Sequence, residues 1–114
     1  MEPPASLRNA VQVVRGYLEE NYAATVSLDE LARMVSLSPF HLARLFREEV
    51  GMPPHAFQLQ LRLTRAKDLL RQGRPVSEVA IETGFFDLSH FTRHFKRHVG
   101  ISPGRYALNE PKGH

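Results

Sequence analysis

The stretches LARMVSLSPFHLARLFREEVG (31–51) and VAIETGFFDLSHFTRHFKRHVG (79–100) are two copies of one pattern. Ala32 matches Ala80 at an offset of 48. His41, Arg44, Phe46, Val50 and Gly51 match His90, Arg93, Phe95, Val99 and Gly100 at an offset of 49. One residue is therefore inserted in the second copy, near Gly84-Phe85-Phe86. Each copy reads as a short helix, a tight turn and a second helix, which is a helix-turn-helix layout. A single pair of this kind is a common packing hairpin. Two copies that agree in Arg, Phe and Gly are much more specific.

Outward from the repeat, the rest of the chain is helical. Leu7, Val11, Val14 and Leu18 recur at i, i+4, i+7 and i+11, and Leu28, Leu31, Ala32 and Val35 mark a second amphipathic stretch. Phe57, Leu61, Leu63, Ala66, Leu69 and Leu70 mark a longer helix between the copies. Ser27-Leu28-Asp29-Glu30 is a capping box. Ser38-Pro39 and Ser102-Pro103 each set an N-cap before a proline at the first helical position, and Asp87 caps the segment after it. Gly51, Gly73 and Gly100 stand where helices stop. These signals predict seven helices over 6–22, 28–35, 39–50, 54–72, 76–83, 88–98 and 103–109, with no period-2 run or hairpin turn to suggest a strand. The expected fold is all-α, a homeodomain-like tandem of two helix-turn-helix subdomains joined by a central linker helix. The expected segments are 1–53 (N-terminal helix and first subdomain), 54–73 (linker helix) and 74–114 (second subdomain and C-terminal helix).

A helical wheel at ~100° per residue sorts the second helix of each copy. In the first, Leu42, Leu45 and Phe46 share an inward arc, with Phe40, Arg44 and Arg47 opposite. In the second, Leu88, Phe91, Phe95 and Val99 form the apolar arc, with Ser89, Arg93, Lys96 and Arg97 opposite. Both outward faces thus carry arginine, the side chain that reaches guanine O6 and N7 bidentately in a major groove, and Phe, Ala or Thr can pack on a thymine methyl. A helix over 54–72 is about 28 Å long. That length suits two reading helices roughly one DNA turn, about 34 Å, apart.

Composition narrows the alternatives. The 114 residues carry 15 Lys+Arg against 12 Asp+Glu, a net charge of +3. The excess is uneven: residues 1–57 hold five cations and seven anions, and 58–114 hold ten and five. The chain has no cysteine, which excludes disulfides, thiolate zinc sites, Fe–S clusters and cysteine nucleophiles. Residues 1–10 do not read as a secretory signal and no apolar run is long enough to cross a bilayer, so a cytoplasmic protein without membrane contact is expected. No nucleophile elbow, glycine-rich phosphate loop or facing carboxylate pair is present, so the reading is not an enzyme and needs no cofactor. His90, His94 and His98 recur at i, i+4 and i+8, but without an HExxH arrangement or cysteine they do not make a metal site. The competing reading is a helical protein–protein interaction module that never touches DNA.

IETGFFDLSHFTRHFKRHVGISPGRY (81–106), LSPFHLARLFREEVGMPPHAF (37–57) and LRLTRAKDLL (61–70) together resemble the DNA-binding domain of the AraC/XylS family of bacterial transcription regulators. The resemblance covers about 7–107. It implies a sequence-specific binder of double-stranded DNA that places two recognition helices in successive major-groove segments, as an activator or repressor. By resemblance, base contacts fall to Phe40, Ala43, Arg44 and Arg47 in the first reading helix and to Leu88, Ser89, Thr92 and Arg93 in the second. Ser38, His41, His90, Lys96 and Arg97 are the candidate phosphate contacts. RNA polymerase is an implied partner, and a sensor or dimerisation domain is implied in the parent protein. Ala43 and Leu88 depart from the family pattern, standing where a polar or amide side chain is common. Phe86 replaces the small polar residue often found after the Gly-Phe of the turn.

Overall fold

A computed structural model describes residues 5–109. Among them the chain forms seven helices and no strand: α1 (Ala5–Glu20), α2 (Leu28–Met34), α3 (Pro39–Val50), α4 (Pro54–Arg71), α5 (Val76–Glu82), α6 (Leu88–Val99) and α7 (Pro103–Asn109). Every boundary lies within two residues of its expected place. The largest difference is at the end of α1, where the Asn21 backbone N–H and Nδ2 both donate to the Tyr17 carbonyl at 2.9 Å and close the helix. The extreme ends of the first and last expected segments, 1–4 and 110–114, lie outside the described residues.

The predicted caps hold the helix starts. Ser27 Oγ accepts from Glu30 N–H at 3.1 Å, Ser38 Oγ from His41 N–H at 3.1 Å, Asp87 Oδ1 from His90 N–H at 2.7 Å, and Ser102 Oγ from Arg105 N–H at 3.2 Å. Each side chain satisfies one of the backbone donors that a helix N-terminus leaves without an intrahelical partner. Gly51 and Gly100 end α3 and α6 in the left-handed region, with φ of 95° and 97°. Only glycine enters that region without a Cβ penalty.

The chain divides into two compact units, with the boundary between Gln60 and Leu61, inside α4. In the first unit, Val11, Val14 and Leu18 of α1 are buried, as are Leu31 and Ala32 of α2 and Leu42, Leu45 and Phe46 of α3. In the second, Leu63, Ala66 and Leu70 of α4 are buried, as are Val79 and Ala80 of α5 and Phe91 and Phe95 of α6. Val11, Val14, Leu18 and Leu63, Ala66, Leu70 keep the same i, i+3, i+7 spacing, so each unit is a three-helix arrangement of the same kind. The repeat also runs further along the chain than its side-chain matches suggested. Pro54 and Pro103 are both buried at the start of the following helix. Phe57 and Tyr106, again 49 apart, each set a ring edge against the reading helix. Phe46 and Phe57 lie 5.6 Å apart at 67°, and Phe95 and Tyr106 lie 5.4 Å apart at 72°. Edge-to-face pairs of this geometry add about 0.5–1.5 kcal/mol beyond their buried area.

The two turns match in backbone as well. Leu37 N–H donates to Ala32 O, and Phe85 N–H donates to Ala80 O, each at 3.0 Å. Ser36 N–H donates to Arg33 O, and Gly84 N–H donates to Ile81 O. Ser36 and Gly84 occupy the same left-handed position, with φ of 57° and 93°. This register holds at an offset of 48 through Phe85 and becomes 49 at the N-caps Ser38 and Asp87. The inserted residue is therefore Phe86.

Sequence periodicity gave no role to Gln58, which is buried on α4. Its Nε2 donates to the carbonyls of Tyr22 at 3.0 Å and Ala24 at 2.8 Å, tying the α1–α2 connection to α4. A Gln58→Leu variant is expected to lose about 1–3 kcal/mol of stability, read from urea unfolding at constant m-value.

Candidate nucleic-acid interface

Burial decides which faces of α3 and α6 are available. Both helices are 12 residues long, start at a side-chain cap and have no acidic residue in the first turn. In α3, Leu42, Leu45 and Phe46 face the core, and Phe40, Arg44 and Arg47 are exposed. Phe40 is 77% exposed, an unusual position for a phenylalanine on an otherwise polar face. In α6, Phe91 and Phe95 face the core, and Ser89, Arg93, Lys96 and Arg97 are exposed. The last turn of α6 carries the basic side chains Lys96, Arg97 and His98, and the cations Lys96 and Arg97 favour the negative end of a helix.

One expectation from the wheel is corrected. Leu88 does not join the apolar arc: it is 47% exposed. It lines one shallow depression with Ser89, Thr92, Arg93, Lys96 and Arg97. A helical Cβ tilts toward the N-terminus, so at the first residue of α6 the side chain projects beyond the packed part of the helix. Val99, at the other end of that arc, is half-buried. The structure thus groups Leu88 with Ser89, Thr92 and Arg93. Ala43 sits differently from its companions. It is half-buried and lines a groove of the first unit with Leu18, Val26, Leu31, Pro53 and Gln58, while Phe40, Arg44 and Arg47 face solvent.

The candidate phosphate contacts also differ in availability. Lys96, Arg97 and Ser38 are exposed, and His41 and His90 are half-buried. Ser38 Oγ accepts from His41 N–H, which leaves its hydroxyl proton to donate. His90 Nδ1 accepts from the Phe86 N–H at 3.3 Å. The neutral imidazole then carries its proton on Nε2, as a donor. No group of three His, Cys, Asp or Glu among the described residues is placed to hold a metal ion.

His94 stands where the first unit has Leu45. Its ring lies 4.6 Å from His90 and 6.3 Å from His98, and its Nδ1 is buried without a hydrogen-bond partner. Burial holds the His94 imidazole below its ordinary pKa, with the neighbouring charges of His90, Arg93, His98 and Arg97 acting in the same direction. A base whose folded pKa is depressed costs the fold nothing by titration above its unfolded value of about 6.5, and destabilises it increasingly as pH falls from there toward the folded pKa. A His94→Leu variant is expected to melt higher than the parent, by the equivalent of about 1 kcal/mol. Thermal scans at pH 7.5 and 5.5 should show a smaller pH dependence in the variant than in the parent.

These paired three-helix units, each with a capped reading helix and an outward arginine face, define a tandem helix-turn-helix protein. A family model described as a helix-turn-helix domain matches residues 31–109. The chain belongs to this family, the AraC-type helix-turn-helix regulators. It is 42% identical over 81 residues to the uncharacterized HTH-type transcriptional regulator YbfI of Bacillus subtilis, covering 70% of this chain and 29% of that protein. The chain therefore spans under a third of that regulator's length. The structure is similar to an AraC-type DNA-binding transcriptional regulator from Chromobacterium violaceum, with a TM-score of 0.79, 28% identity and coverage of 89% and 91% of the two chains. It is also similar to the DNA-binding domain of AdpA, solved with a target DNA, with a TM-score of 0.81, 27% identity and coverage of 86% and 89%.

Proposed function

We propose that this chain is the DNA-reading part of a bacterial transcription regulator, with α3 and α6 entering two successive major-groove segments of one operator. The observation that carries this reading is the pair of outward faces: arginine recurs at the same place in each copy, Arg44 and Arg93, on helices whose opposite faces are buried. A protein-interaction module would need no such recurrence. The family likeness, including to a domain solved on its DNA, supports the same reading.

The residues divide by chemistry. Arg44, Arg47 and Arg93 supply bidentate donors for guanine edges. Phe40, Leu88 and Thr92 supply apolar surface for thymine methyls, and Ser89 a short polar contact. Ala43, half-buried, contributes through the close approach of the α3 backbone rather than by a hydrogen bond. Ser38, His41, His90, Lys96 and Arg97 hold phosphates, which sets the register of each helix without reading sequence. Because the copies differ in sequence, the operator need not be a palindrome. The regulator works in the cytoplasm, and its contact with RNA polymerase and its sensor or dimerisation domain belong to the parent protein.

Selection of binding sites from random duplexes should yield two unlike half-sites about 10–10.5 base pairs apart, with affinity falling steeply between 50 and 200 mM salt. Arg44→Ala and Arg93→Ala should each relax preference at one half-site, by about 1–3 kcal/mol, with folding retained. Lys96→Ala should weaken all sequences equally and reduce the salt slope by about one. Salt-insensitive binding, or arginine variants that select the parent's sites with the parent's affinity, would refute the reading.

A further inference from the structure

The turn of the second unit is one residue longer than that of the first, and the residue that lengthens it is Phe86. It is 86% exposed. It stands immediately before the N-cap Asp87, and its backbone N–H donates to His90 Nδ1, which holds the added residue against the first turn of α6. Leu88, 47% exposed, follows two residues on. In the first unit the exposed aromatic is Phe40, in the first turn of α3. The residue 49 positions after Phe40 is Ser89, so the second reading helix has no aromatic at that place. Each unit therefore presents one exposed phenylalanine at the N-terminal end of its reading helix, but by a different route: within the helix in the first, by insertion before the cap in the second.

The N-terminal end of a reading helix is the part that reaches bases. An exposed phenylalanine there, two residues before Leu88 in the chain, offers apolar area that water disfavours and a groove wall can cover. We propose that Phe86 is a DNA-contacting residue that packs its ring on apolar surface at the edge of the half-site read by α6. That surface is a deoxyribose or a thymine C5-methyl. The inference rests on α6 being a reading helix, and its test separates the two.

The experiment uses the 114-residue chain and a duplex recovered by selection. Phe86→Ala is expected to weaken binding about tenfold, with circular dichroism and melting temperature unchanged, and Phe86→Tyr is expected to retain parental affinity. Replacing thymines of the second half-site by deoxyuridine distinguishes the sources. If the methyl is the contact, the substituted duplex weakens for the parent and not further for Phe86→Ala. If the sugar is the contact, Phe86→Ala loses the same factor on both duplexes. Either pattern supports the proposal. Parental affinity in Phe86→Ala, alongside a loss in Arg93→Ala, would overturn the contact and leave the reading helix standing. Parental affinity in both variants would overturn both. Loss of self-association in Phe86→Ala with DNA binding intact would assign the ring to a second copy of the chain and also overturn the proposal.

Discussion

The fixed point of each unit is a buried phenylalanine on the reading helix, Phe46 in α3 and Phe95 in α6, wedged against the ring edge of Phe57 or Tyr106. A helix can turn about its axis at little cost to its own hydrogen bonds. What prevents this is the loss of a fully buried aromatic, about 3–5 kcal/mol when such a side chain is removed. Once that ring is inside, 3.6 residues per turn leave Arg44 and Arg47, or Arg93 and Arg97, nowhere to go but outward. The presentation of cations to an anionic partner is thus a consequence of core packing. Polar anchors assist from the flanks. Gln58 holds the α1–α2 connection, and Arg71 donates to the Tyr106 hydroxyl at 3.0 Å and pairs with Asp68.

The two copies share this frame and differ where function needs them to differ. Their turns carry the same backbone hydrogen bonds and the same left-handed residue, Ser36 in one and Gly84 in the other. The added Phe86 is accommodated after that point and before the cap, where it shifts no buried residue out of register. Positions facing the core are nearly interchangeable: Ala32 with Ala80, Leu42 with Phe91, Phe46 with Phe95. Among the positions facing out, Arg44 and Arg93 repeat and Arg47 and Lys96 keep a cation, whereas Phe40 and Ser89 differ. Leu45 and His94 are the exception on the inner flank. There the second unit carries an imidazole whose Nδ1 finds no partner, at the foot of a row of three histidines beside Arg93 and Arg97.

The amino-acid sequence by itself determined the seven helices, because their caps, prolines and terminal glycines act within a few residues of themselves. It also determined the internal repeat, and with it the family, since recurrence at a fixed offset needs no coordinates. The outward arginines were legible for the same reason: a wheel places them opposite a core arc that is unambiguous at Leu42, Phe46, Phe91 and Phe95. Tertiary structure alone decided the fate of residues on the borders of that arc. A wheel gives an angle, but burial depends on whether a neighbouring helix reaches that height along the axis. Leu88 falls beyond the packed part of α6 and is exposed, while Ala43 lies against a groove and is half-buried. The partners of Gln58 and the ring contacts of Phe57 and Tyr106 were likewise decided by atoms that meet across 11 to 36 positions of chain, which local pattern cannot register, and the place of Phe86 as the inserted residue was decided by the backbone hydrogen bonds of the two turns.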